Sequence, residues 1–459
     1  MKYRFKGKPF KHQVMAIKRA LKQGYIGLLW QPGTGKTRAI IDWACILHMK
    51  EGMKRVLVVC PLSVAGVWEE EVEKYATVKT YVSIFDKRST SIPVTKTALE
   101  FVIVNYDIGW RRKKLFKRYN PELVVSDESQ KIKRPSARRS WFLRSFRHAP
   151  HRAILTGTPV PKGFIDLFGQ WVFLNWRRFG TNFQDFKDRH VVFGGYMHKK
   201  IKGYKKVDEI KWKVKQDASV RRKDQCIDLP PEMDQRVPVE LEDTARKMYE
   251  RMAMEFFLQF DSGEIVDAKN AGAKLMKLQQ IAGGFLITEE GVRQVSEAKF
   301  NILRDFLEVR FEEEQRVVVF CRFRAELDAI NQLGVNGFRV PTYQLRGGIK
   351  REERDIARRL FQGSPGPSLF VAQIQAGSLG IGLYKSSEAF FYSTSYAYDD
   401  WRQAKDRLHR QGQKSKVIYR HLLAKNTVDE DILESLKEKK SFEDIVMGDP
   451  EILTRRLAV

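Results

Sequence analysis

The segment Gln31–Thr37 has the residue types and spacing of a loop that binds nucleotide phosphates. It reads Gln-Pro-Gly-Thr-Gly-Lys-Thr and lies between an apolar run and a helical pattern. At such a turn backbone N–H groups and the helix dipole attract phosphate oxygens, so Lys36 would reach the β and γ phosphates and Thr37 would bind Mg²⁺. The complete pattern has glycine where this chain has Trp30, and only its second half is standard. The residues predicted to hold the nucleotide are Gly33, Thr34, Gly35, Lys36 and Thr37.

A second apolar run, Leu123–Ser126, ends in two acidic residues. In a parallel sheet the carboxyl ends of the strands share one edge, which places this pair beside the phosphate loop. We expect Asp127 to hold Mg²⁺ through water and Glu128 to polarise the attacking water. An Asp-Glu pair alone is usually solvated surface, and its position at a strand end is what favours catalysis. The next strand ends in Thr156–Pro159, small residues that either sense the γ-phosphate or only punctuate a turn.

Two arginines far downstream, Arg407 and Arg410, are three residues apart on a helix predicted at Asp400–His409. They are candidates for arginine fingers, which stabilise the charge that develops on a transferring phosphoryl group. They could reach the phosphate loop only if a second domain closed over the first. The alternative is a basic helix that faces DNA, to which Arg402, Lys405 and Lys414 would contribute.

The chain has 459 residues, with 83 Lys and Arg against 56 Asp and Glu, and therefore a net charge of +27. Such an excess favours a polyanionic partner, because basic side chains release counterions condensed on nucleic acid. The alternative is a generally basic protein without such a partner. We expect no membrane association, since there is no run of 18 apolar residues. Four scattered cysteines without C-x-x-C spacing support neither a zinc site nor a disulfide framework, and fit a reducing compartment.

Apolar runs alternate with helical patterns in both halves of the chain, which predicts an α/β fold with two parallel sheets. The strands predicted in the first half are Tyr25–Trp30, Arg55–Cys60, Phe101–Asn105, Leu123–Ser126 and Arg152–Thr156. Those in the second half are Arg316–Cys321, Thr342–Leu345, Ser368–Ala372, Ala389–Ser393 and Val417–Leu423. Predicted helices include Lys36–Met49, Ser63–Tyr75, Phe300–Phe311, Arg324–Leu333 and Lys350–Phe361.

The middle of the chain is less regular. Residues 164–190 and 240–284 have helical, protrusion-like patterns, and residues 191–206 predict a basic β-hairpin whose Phe193, Tyr196 and Tyr204 would stack on bases at a DNA junction. A plain surface elaboration is the alternative. The predicted organisation is a first lobe at 1–228, a linker with a helical protrusion at 229–296, and a second lobe at 297–459.

With these motifs in place, the chain resembles helicase superfamily two, and within it the Swi/Snf-type remodelling ATPases. The resemblance covers nearly the whole chain in motif order. The matching segments are Pro9–Gln13 (adenine reading, with Gln13), Val58–Val64 with Trp68 (motif Ia), Val102–Tyr106 (Ib), Asp127–Gln130 (II), Thr156–Pro159 (III), Arg221–Asp224 with Leu229–Pro231 (the brace between the lobes), Val318–Phe323 (IV), Gln375–Leu383 (V) and Gln403–Gln413 (VI).

The resemblance implies two RecA-like lobes that bind ATP and Mg²⁺ and move along DNA. The catalytic residues would be Lys36, Asp127, Glu128, Arg407 and Arg410. Basic clusters and family motifs together predict nucleic-acid contacts by Ser63, Trp68, Tyr106, Lys131, Lys199, Lys200, Gln375 and Gly377. The chain departs from the family at Gln130, where a histidine is usual, and at Gln375, where a basic residue is usual.

The function that this resemblance implies is that of an ATP-dependent translocase or helicase on duplex or branched DNA: fork remodelling, branch migration or limited unwinding. It is expected to be a monomeric motor in the cytoplasm of a bacterial or phage-infected cell, or in the nucleus of a eukaryote. Two alternatives stay open. One is an RNA-directed ATPase of the same superfamily, and the other is a nucleic-acid-binding scaffold without turnover.

Overall fold

The architecture comes from a computed structural model that describes residues 3–95, 97–160, 163–194, 200–223, 225–226, 229–261, 268–379 and 382–447. The chain divides into two compact units, the first comprising Met1–Asp228 with Lys439–Val459 and the second Leu229–Glu438. Among the described residues, no helix is both long and apolar enough to cross a membrane.

The first unit is built on a parallel sheet that has seven strands in its described part, in the order β3-β4-β2-β5-β6-β1-β9. Its central strands are almost wholly buried, as continuous apolar runs require when helices cover both faces. The strands are β1 (Tyr25–Trp30), β2 (Arg55–Cys60), β3 (Thr80–Phe85), β4 (Leu99–Asn105), β5 (Leu123–Asp127), β6 (His151–Thr156) and β9 (Ala218–Arg221). A separate antiparallel hairpin is formed by β7 (Val191–Gly194) and β8 (Lys200–Tyr204).

Helices pack on both faces of this sheet and form two apolar cores, one on each side. They are α1 (Lys11–Gln23), α2 (Lys36–Glu51), α3 (Ala65–Tyr75), α4 (Tyr106–Arg111), α5 (Lys113–Tyr119), α6 (Arg138–Arg144), α7 (Leu167–Leu174), α8 (Trp176–Phe179), α9 (Phe183–His190) and α10 (Val207–Asp217). Short 3-10 helices include Leu62–Val64 and Ser129–Ile132. The second core contains a tryptophan from α3, Trp68, that is fully buried.

The second unit repeats the plan with a parallel sheet that has six strands in its described part, ordered β10-β17-β16-β13-β15-β14. The strands are β10 (Glu232–Val239), β13 (Arg316–Cys321), β14 (Thr342–Leu345), β15 (Ser368–Gln373), β16 (Glu388–Phe391) and β17 (Val417–Ala424), with a hairpin of β11 (Phe285–Thr288) and β12 (Gly291–Gln294). The helices are α11 (Asp243–Asp261), α12 (Ala268–Ala282), α13 (Ala298–Glu312), α14 (Arg324–Gln332), α15 (Arg351–Gly363), α16 (Tyr398–Leu408) and α17 (Val428–Met447). A 3-10 helix, Ile374–Leu379, follows β15.

The predicted α/β fold with two parallel sheets is therefore confirmed, and so is the hairpin after residue 190. The prediction missed the strands β3 and β9 of the first unit and β10, β11 and β12 of the second. No strand was predicted within 229–296, yet Glu232–Val239 forms β10 and pairs in parallel with β17. Most of β10 is exposed because it is an edge strand, and its mixed sequence therefore lacks the apolar run by which the central strands are recognised.

Candidate nucleotide site and nucleic-acid contacts

The predicted phosphate loop leaves the carboxyl end of β1 and enters α2. Gly33 and Gly35 both have positive φ, 84° and 82°, a conformation that side chains disfavour. A Cβ on Gly35 would lie 2.3 Å from the side-chain nitrogen of Gln13. The Lys36 ammonium donates to the carbonyl of Trp30 at 2.8 Å, so the loop folds over its own lysine. This cradle of backbone, lysine and helix start fits a nucleotide's phosphates.

Side chains of α1 hold the phosphate loop in place through hydrogen bonds to its backbone. Gln13 accepts from the N–H of Phe10 at 2.8 Å and donates to the carbonyl of Gly35 at 3.0 Å. Its side chain is wholly buried. Adenine reading by Gln13 would therefore require exchanging bonds that already tie α1 to the loop. Beside it, the His12 Nε2–H donates to the carbonyl of Thr34 at 2.9 Å, and burial lowers the pKa of His12, which favours the neutral ring.

Asp127 is the last residue of β5, and both of its carboxylate oxygens are held. The indole N–H of Trp68 donates to Oδ2 at 2.8 Å, and the backbone N–H of Glu128 donates to Oδ1 at 2.9 Å. Burial and the neighbouring Glu128 charge raise the pKa of Asp127 to about 6, while the bond from Trp68 opposes that rise. An anion fixed in this way, at the edge that carries the phosphate loop, suits a divalent cation.

Glu128 begins a chain of hydrogen bonds that runs to the end of β6. Its backbone is left-handed, with φ 52°, a costly conformation for a residue with a side chain. Gln130 Nε2 donates to the Glu128 carboxylate at 2.6 Å, and Gln130 Oε1 accepts from the Thr156 hydroxyl at 2.7 Å. The Thr158 N–H donates to that hydroxyl at 3.0 Å. The carboxylate thus has its orientation fixed by the strand that ends in the Thr-Gly-Thr-Pro segment.

The two distal arginines lie in the second unit. Helix α16 ends at Leu408, so Arg407 is helical but Arg410 lies in the turn that follows, and the prediction of one shared helix face is wrong. Both side chains are partly buried. The alternative of a DNA-facing basic helix also fails for two of its members, since Arg402 and Lys405 are buried and paired with carboxylates.

Comparison with protein families agrees with these motifs. The SNF2-related domain matches residues 15–292, more than half of the chain, and the helicase conserved C-terminal domain matches residues 298–412. The chain belongs to the SNF2-related family. The predicted resemblance to Swi/Snf-type members of helicase superfamily two is thereby confirmed.

Relatives of this SNF2-family chain are distant and much longer. The transcription regulatory protein SNF2 of Saccharomyces cerevisiae is 24% identical over 438 residues, which cover 89% of this chain and 26% of that protein. An uncharacterized ATP-dependent helicase of Mycoplasma genitalium is 24% identical over 447 residues, covering 94% of this chain and 41% of the relative. Of the solved structures, the SWI2/SNF2 ATPase core of Sulfolobus solfataricus in complex with dsDNA matches with a TM-score of 0.46 and 24% identity, over 97% of this chain and 94% of the other.

Two predicted nucleic-acid contacts of the SNF2-family chain are corrected. Trp68 is fully buried and donates its indole N–H to Asp127. Tyr106 is 5% exposed, and its hydroxyl contacts the Ser126 hydroxyl at 2.9 Å and donates to the Asp127 carbonyl at 2.6 Å. Residues packed behind the acidic pair cannot touch a duplex, and both instead position the strand that carries Asp127. The sequence shows only that both residues fall within segments that match family motifs, and it does not show which way their side chains point.

The remaining predicted contacts of the family core are placed as follows. Lys131 is exposed in the 3-10 helix after Glu128, and Gln375 is exposed in the 3-10 helix after β15, which also contains Gly377. Ser63 lies in the 3-10 helix after β2, and Lys200 begins β8. Lys199 and Tyr196 lie outside the described residues.

The hairpin prediction needs one further correction. The ring of Tyr204 packs edge-on against Phe164 at 5.3 Å between centroids, and joins the apolar core of the first unit. Burial raises the pKa of its hydroxyl to about 12. Tyr204 therefore anchors the base of the hairpin and does not stack on bases.

Proposed function

We propose that this chain is an ATP-dependent DNA translocase. The observation that carries the proposal is the hydrogen-bond chain from Glu128 through Gln130 to Thr156 and Thr158, at the same sheet edge as the phosphate loop. It gives a candidate base a fixed orientation and connects it to a second strand end. The family and its C-terminal helicase domain supply the expected coupling of hydrolysis to movement on DNA.

In this proposal the loop and Lys36 hold the phosphates of ATP, while Thr37 and Asp127 hold Mg²⁺, which neutralises the charge on the phosphate oxygens. Glu128 accepts a proton from the attacking water. Gln130 keeps the Glu128 carboxylate aimed, and Thr156 fixes Gln130 in turn. Arg407 and Arg410 are proposed to stabilise the charge that develops on the transferred group.

The direct test is the substitution Glu128→Gln. We expect it to retain ATP and DNA binding while hydrolysis falls by about 10²-fold or more, because the amide cannot accept the proton. Binding is followed by fluorescence anisotropy and turnover by phosphate release. Glu73→Gln, which changes an exposed glutamate on α3, is the matched control and should hydrolyse ATP like the unchanged chain. Steady-state turnover near the normal rate in Glu128→Gln would sink the assignment.

We further propose that the DNA substrate is branched. The hairpin of β7 and β8 is a separate antiparallel element whose base is anchored by Tyr204, and its second strand carries Lys200 and Lys202. A basic projection beside a duplex track is suited to a junction, where paired strands separate. ATPase rates with a single strand, a linear duplex, a fork and a four-way junction, at one salt concentration, should be highest for the fork and junction. Equal rates with the linear duplex would leave a general translocase.

The pairing of β7 with β8 shows where the hairpin can be shortened without disturbing its base. Val192 and Gly203 are partners across the two strands, so residues 193–202 can be replaced by an Asn-Gly turn that joins them. Tyr204 then keeps its packing on Phe164. We expect fork-stimulated hydrolysis to fall about tenfold while duplex-stimulated hydrolysis stays within about twofold. Unchanged fork stimulation would remove the hairpin from the mechanism.

A further inference from the structure

A cavity of about 570 Å³ opens at the amino ends of β1 and β6, on the opposite side of the first sheet from the nucleotide loop. Tyr25, the first residue of β1, and Arg152, its partner on β6, lie in its wall. The phosphate loop follows the other end of β1, five residues away or roughly 17 Å at the usual rise of a strand. The cavity is therefore a different place from the candidate ATP site.

The lining is strongly cationic. Arg147, Arg152, Arg177 and Arg178 all face the cavity, and its lining includes no acidic side chain. Arg178 is neutralised by Asp217, which it contacts through two N–H groups at 2.7 and 2.9 Å. Within the described part of the chain, Arg152 donates to two neutral carbonyls, those of Ala149 and of Leu174, the latter at 3.0 Å. Among the described residues no carboxylate pairs with the other three arginines, so the wall carries about three unbalanced positive charges.

Burial, together with the nearby charge of Arg177, lowers the pKa of Arg152. Bringing cations this close is unfavourable unless an anion enters between them. Guanidinium groups bind phosphate oxygens in pairs, with two parallel N–H bonds. The chemistry of the wall therefore selects a ligand that carries several phosphates.

Aromatic rings are placed between these cations. Trp176 lies in the wall with Arg177 over its ring at 5.5 Å and Arg147 at 6.0 Å, while Arg152 lies over Tyr25 at 5.7 Å. Rings held beside cations form stacking platforms for bases, and a base can stack on them only when it is unpaired. Arg178 also covers Trp212, which is 57% exposed and lies outside the residues that line the cavity. This second arginine–tryptophan pair extends the platform beyond one nucleotide.

A buried carboxylate behind the wall of the cavity holds part of the lining in place. Asp217 is fully buried and, besides Arg178, accepts from the indole N–H of Trp171 at 3.0 Å and from the amide of Asn175 at 3.2 Å. Arg178 and Asn175, which line the cavity, are thus held in position before any ligand arrives. Preorganisation of this kind reduces the entropy lost on binding.

We propose that this cavity binds an unpaired nucleic-acid strand, with the phosphates on Arg147, Arg152 and Arg177 and a base against Trp176. Its volume lies in the ordinary range for ligand pockets, about 300–1,000 Å³, which suits a nucleotide unit and excludes a duplex. The site goes beyond the proposed motor activity, since it lies away from the nucleotide loop and requires no hydrolysis. It would hold a strand displaced from a branched substrate.

The test is photochemical crosslinking of an oligothymidylate of about 12 nucleotides that carries 5-iodouracil. The full chain is irradiated with this probe without ATP, and the modified peptides are mapped by mass spectrometry. Crosslinks on the peptides that contain Tyr25 or Trp176 are expected. Their absence at saturating probe would overturn the proposal, whatever the fate of the ATPase assignment, because the readout does not involve hydrolysis.

Substitutions inside and outside the cavity test whether the crosslinks depend on its residues. Arg147→Glu should reduce the crosslink yield at Tyr25 and Trp176 about tenfold, while Lys79→Glu, an exposed change before the far edge strand β3, should not. Trp141→Ala removes another arginine-covered, exposed tryptophan outside the cavity and is the control for Trp176→Ala. Equal losses in the control and cavity variants would argue against the site. If ADP displaces the probe in the Lys36→Ala chain, the cavity holds free nucleotide and the strand proposal is wrong.

Discussion

The role assigned to Trp68 changes once the direction of its side chain is known: the sequence predicted a nucleic-acid contact, but the side chain is buried. It lies 59 residues from Asp127 in the sequence, and nothing in the spacing connects the two. In the structure its indole N–H is the donor that holds Asp127 Oδ2 at 2.8 Å. A hydrogen bond to a carboxylate favours the ionised form, which is the form that a cation requires. Trp68 is therefore a positioning residue for the candidate metal site.

Trp68→Phe tests this role because it removes the N–H and keeps most of the packing. We expect the Mg²⁺ concentration for half-maximal hydrolysis to rise about tenfold, since a bond to a charged group contributes about 1.5–3 kcal/mol. Duplex affinity, measured by anisotropy, should stay within about twofold.

Trp43 provides the matched control. It is also fully buried, but its indole N–H has no hydrogen-bond partner among the residues that the structure describes. Trp43→Phe should therefore leave the Mg²⁺ requirement unchanged. The opposite pattern in Trp68→Phe, weaker duplex binding with a normal Mg²⁺ requirement, would restore the DNA-contact interpretation.

The sequence places correctly, relative to the strands, those candidate site residues that are defined by local spacing. Gly33, Gly35 and Lys36 follow one strand and Asp127 ends another, so adjacent residues identify them. The hydrogen bonds that support the site join residues far apart in the sequence. One of them runs from the Ser129 hydroxyl to Gln170 Oε1, at 2.6 Å. Such pairs depend on how α7 packs on the segment after β5, and no local pattern encodes that packing.

At the scale of elements, strand position decided what could be predicted. β1, β2 and β13 have the predicted bounds because they are buried on both faces and read as continuous apolar runs. β3, β9 and β10 are edge strands, and no apolar run marked them, whereas the edge strand β14 was predicted with its observed bounds. Their places are set by the strand with which each of them pairs.

The edge strand β10 is attached by a charged cluster. Lys405 of α16 is wholly buried and donates to Asp234 at 2.7 Å, and His421 of β17 lies 3.0 Å from the other Asp234 oxygen. Burial alone would raise the pKa of Asp234, but the bond from His421 and the charge of Lys405 outweigh it and hold that pKa well below its usual range. The cluster therefore joins β10 to α16 and to β17, although the sequence of β10 was interpreted as part of a linker.

Asp234→Asn should destabilise the second unit by about 2 kcal/mol at pH 7. This is less than the usual cost of breaking a fully buried pair, because Glu232 still lies 3.6 Å from Lys405. An aspartate with a lowered folded-state pKa contributes its full stabilisation above its unfolded pKa, so the difference from the unchanged chain should be complete above about pH 4 and should shrink progressively as the pH falls from there toward the folded-state pKa. Urea unfolding at several pH values measures it.

Met233→Ala, a neighbouring change at a 37% exposed side chain, is the control and should cost less than about 1 kcal/mol. Hydrogen exchange should localise the loss in Asp234→Asn to β10 and β17. Protection of both strands equal to that of the unchanged chain would contradict a stabilising role for the cluster.

At the scale of the whole molecule, the net charge of +27 should dominate affinity for nucleic acid. A protein that neutralises six or more phosphates loses about 10³-fold or more in affinity between roughly 50 and 200 mM salt. We expect a loss of that size for a linear duplex, measured by anisotropy at constant pH. A slope corresponding to only one or two phosphates would show that the charge is largely balanced within the fold.

Gln130 has a consequence for the conditions under which such a motor runs. A histidine, usual at this position in the family, would gain a proton near pH 6.5 and turn an acceptor into a donor. The amide of Gln130 does not titrate in this range: its nitrogen donates to Glu128, and its oxygen accepts from the Thr156 hydroxyl. The polarity of the link is therefore the same in mildly acidic and in neutral surroundings, and acidification has no means of reversing it at this residue.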